Sequence, residues 1–386
     1  MNKSPTIAIY HRGYLAISET FVYRQIVGLR RYQPIVFTDK LNKPDRFPLG
    51  NVPLVVSPRK KILERFAELF TPRYGYVRGS VINTFVSAAT QRNVCLVHAQ
   101  FGPGGIRMLP VVNRLGVPLI TTFRGYDVSR RLRQKHYVRA LKKLFDEGTL
   151  FLSVCGAFKK RLFALGAPEE RIIVHYNGTP LDLFKAKHYT GRKDGRVRFL
   201  QVGRYTEKKG VPELVDAFSR VIAAGIDAEL VLVGGGRTMA DTKKRILLHG
   251  LSDRVILKGV LPAIDVAKEM EQADIFLQNS MTASNGDVEG LPNTVIEAMA
   301  SALPVVASRH MGVPEAVEDG ESGILFDERD FNALTDAMIR LSQAPEKWEA
   351  MGVRGRQIVE KKFDLKSQNE RLERIYDRVL SNQPIE

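Results

Sequence analysis

Short β-branched and aromatic runs alternate with helical patterns along the whole chain, and that alternation limits the fold more than any other feature. In the first half, the candidate strands are residues 7–10, 34–37, 52–56, 94–98, 118–122, 150–154 and 172–176, with helical stretches between them. Strands separated by helices run parallel, because each helix carries the chain back across the sheet and covers one of its faces. The second half repeats the pattern, with strand-like segments at 197–203, 229–233, 255–260, 273–277 and 304–307. A chain of 386 residues exceeds one comfortable core, so two α/β domains of roughly 150–200 residues each are expected. A polar stretch at 187–196, carrying Gly191 and Gly195, marks the join.

No apolar run approaches the ~20 residues of a membrane span; the best, 109–123, is broken by Asn113 and Arg114. The first residues turn polar too soon for a secretory signal and read as a first strand. Cys95 and Cys155 both lie in strand-like segments, where buried reduced thiols are the expected reading. Together these features place the protein in the cytoplasm. The formal charge of +16 is uneven: residues 1–185 hold 30 Lys/Arg against 11 Asp/Glu, and the remainder is nearly neutral. A cationic first half points to an anionic partner such as a lipid surface or a polyprenyl-diphosphate carrier, or to nucleic acid. Segments 60–70 and 130–145 are basic and amphipathic. Each reads either as a core-facing helix with a solvated basic face or as a helix that docks on lipid headgroups with apolar residues inserted. RNA-binding aromatic motifs are missing, so nucleic acid is not the expected partner.

The chemistry concentrates in Glu289-Gly290-Leu291-Pro292-Asn293-Thr294-Val295-Ile296-Glu297. The stretch sits between two strand-like runs and leads into a helical pattern. Gly290 allows close backbone approach, and Pro292 suits a first helical turn. A helix start of this kind presents free N–H groups to an anion such as a diphosphate. Glu289 and Glu297 stand about two turns apart and address two parts of one elongated ligand. Upstream, Arg204 and Lys209 lie in a loop between a strand ending at Gly203 and the next helix. Such a pair either neutralises a diphosphate or is simply solvated.

Several of these segments resemble the retaining glycosyltransferases of family 4. Glu289 and Glu297 are similar to that family's E-x₇-E motif, and Gly203-Arg204-Tyr205-Thr206-Glu207-Lys208-Lys209-Gly210 to its Gly-Arg-…-Lys-Gly signature. Ser18-Glu19-Thr20-Phe21, also a plain helix-capping signal, resembles a segment of exopolysaccharide, colanic acid and amylovoran-type members. Asn177-Gly178, Gly312-Val313-Pro314-Glu315 and Gly320-Glu321-Ser322-Gly323 extend the likeness over nearly the whole chain. Gly234-Gly235-Gly236 lacks the dinucleotide fingerprint spacing and fits a nucleotide-sugar turn.

The resemblance implies a GT-B fold of two Rossmann-like doubly wound domains facing a cleft. Residues 1–187 would bind the acceptor and 188–364 the nucleotide sugar, with the segment 365–386 crossing back to the first domain. It implies transfer with retention from a UDP-sugar, or a GDP-sugar, to a lipid-linked saccharide or glycolipid at the inner face of the plasma membrane. No metal or other cofactor is expected, because Arg204 and Lys209 take the place of Mg²⁺. Glu297 would hold the ribose and Glu289 the sugar hydroxyls, beside Gly203, Gly290, Leu291, Pro292, Asn293, Thr294, Gly259 and Val260. The sequence departs from the family at Arg124, where Thr-Phe-His-Gly-Tyr-Asp is usual. That arginine would suit a carbonyl, a phosphate, an acidic sugar or an anionic acceptor. His98 either supplies an imidazole to the site or caps its strand. A nucleotide-sugar epimerase and a basic membrane- or RNA-binding protein are the rival readings.

Overall fold

The computed structural model describes residues 4–15, 19–42, 44–58, 77–187 and 195–383. The chain divides into two compact units, one of Met1–Gly178 with Leu365–Glu386 and one of Thr179–Asp364.

In the first unit, seven parallel strands form one sheet: β1 (Thr6–Tyr10), β3 (Gln33–Thr38), β5 (Leu54–Val56), β6 (Val94–Gln100), β7 (Leu119–Phe123), β8 (Leu150–Ser153) and β9 (Ile172–Val174). Their order is β5-β3-β1-β6-β7-β8-β9, while β2 (Gly13–Tyr14) and β4 (Lys40–Leu41) make a separate pair. Strand order reverses between β1 and β6, which makes that gap the switch point where open α/β sheets bind ligands. Ile7, Ile9, Leu96, Ile120 and Leu152 are all buried in its core. The strand expected over 52–56 is shorter than its sequence suggests. Pro53 accepts the Val36 N–H at 2.8 Å but has no N–H of its own to extend the ladder.

In the second unit, β10 (Val197–Val202), β11 (Ala228–Val233), β12 (Val255–Gly259), β13 (Ile275–Gln278), β14 (Val305–Ser308) and β15 (Gly323–Phe326) run parallel in the order β12-β11-β10-β13-β14-β15. Its switch point lies between β10 and β13. Phe199, Leu230, Leu232, Ile275 and Leu277 pack with Leu214 and Phe218 from helix Val211–Ala223 and with Leu334 and Met338 from helix Phe331–Ser342.

The last helix, Leu365–Leu380, belongs to the first unit. Leu372, Ile375 and Val379 are buried in its core, at about 1.5–3 kcal/mol per fully buried side chain. That outweighs the half-exposed Arg31–Asp377 pair at 2.7 Å, worth under about 1 kcal/mol. Glu373 sets the register, since one carboxylate oxygen accepts the N–H groups of both Arg30 and Arg31 at 2.7 Å.

Of the two basic segments, 60–70 lies outside the described residues, as does Ser18. The other splits at Gln134, whose extended backbone separates a turn at Arg130–Arg133 from helix Lys135–Glu147. Tyr137, Leu141, Leu144 and Phe145 are all buried beneath that helix. Its apolar side is therefore committed to the core, and the face that meets solvent carries Lys135, Arg139, Lys142 and Lys143, with Asp146 and Glu147 at its end. Insertion of those apolar residues into lipid is ruled out.

Close backbone approach fixes the turn after β11. Gly234 has φ 140°, and a Cβ there would stand 1.8 Å from the Gly203 carbonyl oxygen. Gly234→Ala combines a forbidden dihedral with a backbone clash. It should cost more than about 2 kcal/mol in urea unfolding, whereas Gly250→Ala, which meets nothing within 4 Å, should cost less.

Candidate active site

The second unit's switch point gathers most of the predicted residues. Gly203 and Arg204 follow β10, and the Tyr205 N–H bonds to the Gly235 carbonyl at 2.9 Å. The Gly234 N–H donates to Gly259 at 2.7 Å, so the turns after β10, β11 and β12 are laced together. Val260, next to Gly259, leaves its side chain largely exposed.

Residues Glu207–Lys209 then form one 3₁₀ turn, and Gly210 at φ 55° starts helix Val211–Ala223. Asn279 pins that glycine, donating to its carbonyl at 2.9 Å. The turn delivers Lys209 into the protein, where its Nζ lies 2.7 Å from Glu289 Oε2 with both side chains largely buried. Burial alone would raise the Glu289 carboxyl, but the Lys209 and Lys208 ammonium groups reverse this and hold it at about 2. For Lys209, burial keeps the upper hand and lowers the ammonium, with Glu289 opposing. The carboxylate's direction governs the pair, because Glu289 also accepts the Ser280 hydroxyl at 3.1 Å and so has more than one group favouring its charge. Arg204 is exposed and its side chain has no ion-pair or hydrogen-bond partner among the described residues, yet its charge is felt at Lys209. It is the cation the site leaves open to a ligand.

Gly290 is buried, and its carbonyl accepts the Gly312 N–H at 2.8 Å. The helix begins one residue later than expected. Pro292 stands at the cap with ψ 123°, and Asn293–Ala300 is helical. Asn293 and Thr294 thus occupy the first turn, with N–H groups that point away from the helix. Leu291 is half-buried ahead of them, and Glu297 lies buried on the second turn.

Sequence reasoning missed the residues that hold Glu289 in place. Its backbone N–H donates to His310 Nε2 at 3.2 Å, and His310 Nδ1 faces Glu328 at 2.9 Å. The proton therefore sits on Nδ1. Burial would raise Glu328, but the Thr282 N–H and His310 bring it below the usual range. Lys208 bonds the Val288 carbonyl at 3.1 Å and Asp287 at 3.2 Å. Gln278 Nε2 donates to Ser280 at 2.8 Å, and Gln278 Oε1 accepts Thr294 at 3.3 Å. The one available signal was position: His310 and Ser280 both stand just past strand ends, where such sheets bind ligands.

Arg124 and His98 lie in the first unit. Arg124 is buried and gives its N–H groups to neutral amide oxygens: Gln100 at 3.0 and 2.6 Å, Asn177 at 2.5 Å and Gln25 at 3.1 Å. Burial pulls it below the usual guanidinium range, against Asp127 and Glu19, but an arginine remains charged at neutral pH. Asp127 accepts the N–H groups of Gly102, Arg124 and Gly125. The expectation that Arg124 serves an anionic sugar or acceptor meets a physical obstacle, since its donors are already engaged. His98 is fully buried, with Nδ1 2.7 Å from the Tyr376 hydroxyl and Nε2 2.7 Å from Thr122. Burial and the Arg124 charge keep it neutral. With both nitrogens occupied it ties the last helix to β6, and supplies no imidazole to a ligand.

Among the described residues, no cluster of three His, Cys, Asp or Glu is suited to a metal ion, and no helix is long and apolar enough to cross a membrane. Residues 184–358 match the family "Glycosyl transferases group 1", and residues 18–183 match "Glycosyltransferase Family 4". The amylovoran biosynthesis glycosyltransferase AmsK of Erwinia amylovora is 32% identical over 76% of this chain and 72% of its own length. The putative colanic acid biosynthesis glycosyltransferase WcaL of Salmonella typhimurium is also 32% identical, over 78% and 75%. The chain belongs to glycosyltransferase family 4. Its relatives include a GDP-mannose-dependent mannosyltransferase of Corynebacterium glutamicum, 33% identical over 51% of each chain. Among solved structures, Anabaena HepE in complex with UDP shares the fold with a TM-score of 0.79 at 18% identity, covering 97% of this chain and 99% of that one. The glycosyltransferase fold is thus two Rossmann-like parallel sheets of the GT-B type, and amylovoran and colanic acid biosynthesis are the settings named for AmsK and WcaL.

The low carboxyl pKa makes a stability prediction. A depressed acid stabilises the fold above its unfolded pKa, and that contribution disappears as pH falls through the folded value. The stability gap between wild type and Glu289→Gln should therefore be full near neutral pH, at up to about 3 kcal/mol. It should shrink between about pH 4.5 and about pH 2, as followed by urea unfolding across that range.

Proposed function

We propose that this protein is a retaining glycosyltransferase that moves a sugar from a nucleoside diphosphate sugar to a lipid-linked saccharide or glycolipid during envelope polysaccharide synthesis. A UDP-sugar is the favoured donor and a GDP-sugar the second. The observation that carries the reading is the buried 2.7 Å Lys209–Glu289 pair, at a switch point with Arg204 left open beside it.

Arg204 and Lys209 stabilise the diphosphate as it leaves, with N–H groups from the first turn of the Asn293 helix. These cations do the work that a divalent metal does in other transferases. Glu289 orients the sugar hydroxyls and Glu297 the ribose. Among the described residues no second carboxylate is placed as a nucleophile, so the acceptor hydroxyl attacks from the leaving-group side. The bond from the anomeric carbon to the phosphate oxygen breaks, a bond to the acceptor oxygen forms on the same face, and the hydroxyl proton passes to the departing phosphate. The acceptor belongs to the first unit, whose cationic surface, including Lys135, Arg139 and Lys142, draws the enzyme to anionic lipid by charge alone.

A thermal-shift screen of UDP, GDP and ADP in EDTA tests the donor class. One nucleotide should stabilise the protein, by about 2.7 kcal/mol at a hundredfold excess over Kd. With the matching sugar conjugate, Glu289→Ala and Arg204→Ala should each lower kcat/KM by at least about a hundredfold without loss of fold. Unchanged rates in both would sink the assignment.

A further inference from the structure

Gln201 is fully buried on β10, two residues before Gly203. It stands opposite Leu232 of β11 and on the same side of its strand as Phe199, and both of these are core residues. Neither its Oε1 nor its Nε2 has a hydrogen-bond partner. A buried amide without partners is costly, and an apolar side chain of similar shape removes that cost. Packing alone therefore gives no reason for a glutamine on this apolar face, and its polar atoms need a use.

Lys209 offers one. A Cβ built on Gly203 would stand 3.2 Å from Gln201 Nε2 and 3.1 Å from Lys209 Cε, so the amide and the end of the lysine border one spot. A half-turn of the last glutamine torsion exchanges the two amide atoms and brings Oε1 to that spot. The Lys209 ammonium carries three N–H groups, and Glu289 is its one ion-pair partner among the described residues. Lys208 is different, since its ammonium reaches the Val288 carbonyl and Asp287. Lys209 thus has donors to spare, and Gln201 has an unused acceptor.

We propose that Gln201 is a positioning residue of the donor site, whose amide oxygen takes the Lys209 ammonium when the diphosphate binds. This rests on the glycosyltransferase reading above. In this structure the ammonium lies against Glu289. With the donor bound, its three N–H groups meet three acceptors: a diphosphate oxygen, Glu289 and the Gln201 amide. The amide is neutral, so it holds the ammonium without cancelling the charge that faces the phosphate. A carboxylate at the same place would repel the diphosphate.

Calorimetric titration of the full-length protein with UDP and with GDP in EDTA tests this, for wild type, Gln201→Met, Lys209→Met and the double variant. For whichever nucleotide the wild type binds, Gln201→Met should weaken affinity by at least about fivefold. In the Lys209→Met background the same change should shift affinity by less than about twofold, because the amide acts through the lysine. Urea unfolding should find Gln201→Met at least as stable as wild type, which separates the binding loss from a loss of fold. Unchanged affinity in Gln201→Met, or an equal loss in both backgrounds, would overturn the inference. If Gln201→Met did not fold, Gln201→Asn, with a shorter reach, would take its place with the same expected affinities. A wild type that binds neither nucleotide would overturn the proposed function, and this inference with it.

Discussion

An ammonium and a carboxylate held 2.7 Å apart, with both side chains largely out of water, shape the rest of the second unit. Bringing either charge inside alone would cost several kcal/mol, and breaking such a pair typically costs about 3–5 kcal/mol. Lys209 and Glu289 are therefore placed jointly or not at all. The Glu207–Lys209 turn, the Gly210 cap and the loop from Asn279 to Glu289 all serve that placement, and Lys208 ties the loop to the same turn. The pair also leaves Arg204 as an unmatched positive charge near the strand ends.

The two units use one design with different chemistry at their switch points. In the second, charge is concentrated: two lysines and an arginine face a carboxylate, beside glycine turns where backbone meets backbone. In the first, the arginine is wrapped in amide oxygens from Gln25, Gln100 and Asn177. That wrapping places Arg124, where the family usually has histidine, inside a hydrogen-bond network of its own unit.

Much of the fold was legible because parallel strands buried on both faces leave continuous apolar runs, as at 230–233 and 275–277. Arg204, Lys209 and Glu289 were legible through motif wording, since spacing alone would have left two loop cations ambiguous. What stayed hidden depends on distant partners. His98 read equally as a ligand or a cap, and Thr122 together with Tyr376, 278 residues away, decides between them. His310 and Glu328 act on Glu289 through its backbone, which no side-chain pattern announces. The basic helix misled for a simpler reason: amphipathic periodicity gives the width of an apolar stripe, not what covers it.

The central claim divides the Lys209–Glu289 pair between two parts of the donor, phosphate for the lysine and sugar for the glutamate. Calorimetric affinity for the free nucleoside diphosphate in EDTA, measured for wild type, Lys209→Met and Glu289→Gln, tests this most directly. The account predicts at least about tenfold weaker binding for Lys209→Met and a change within about threefold for Glu289→Gln. Equal losses in the two variants would contradict it, because the glutamate would then serve the phosphates only by holding the lysine.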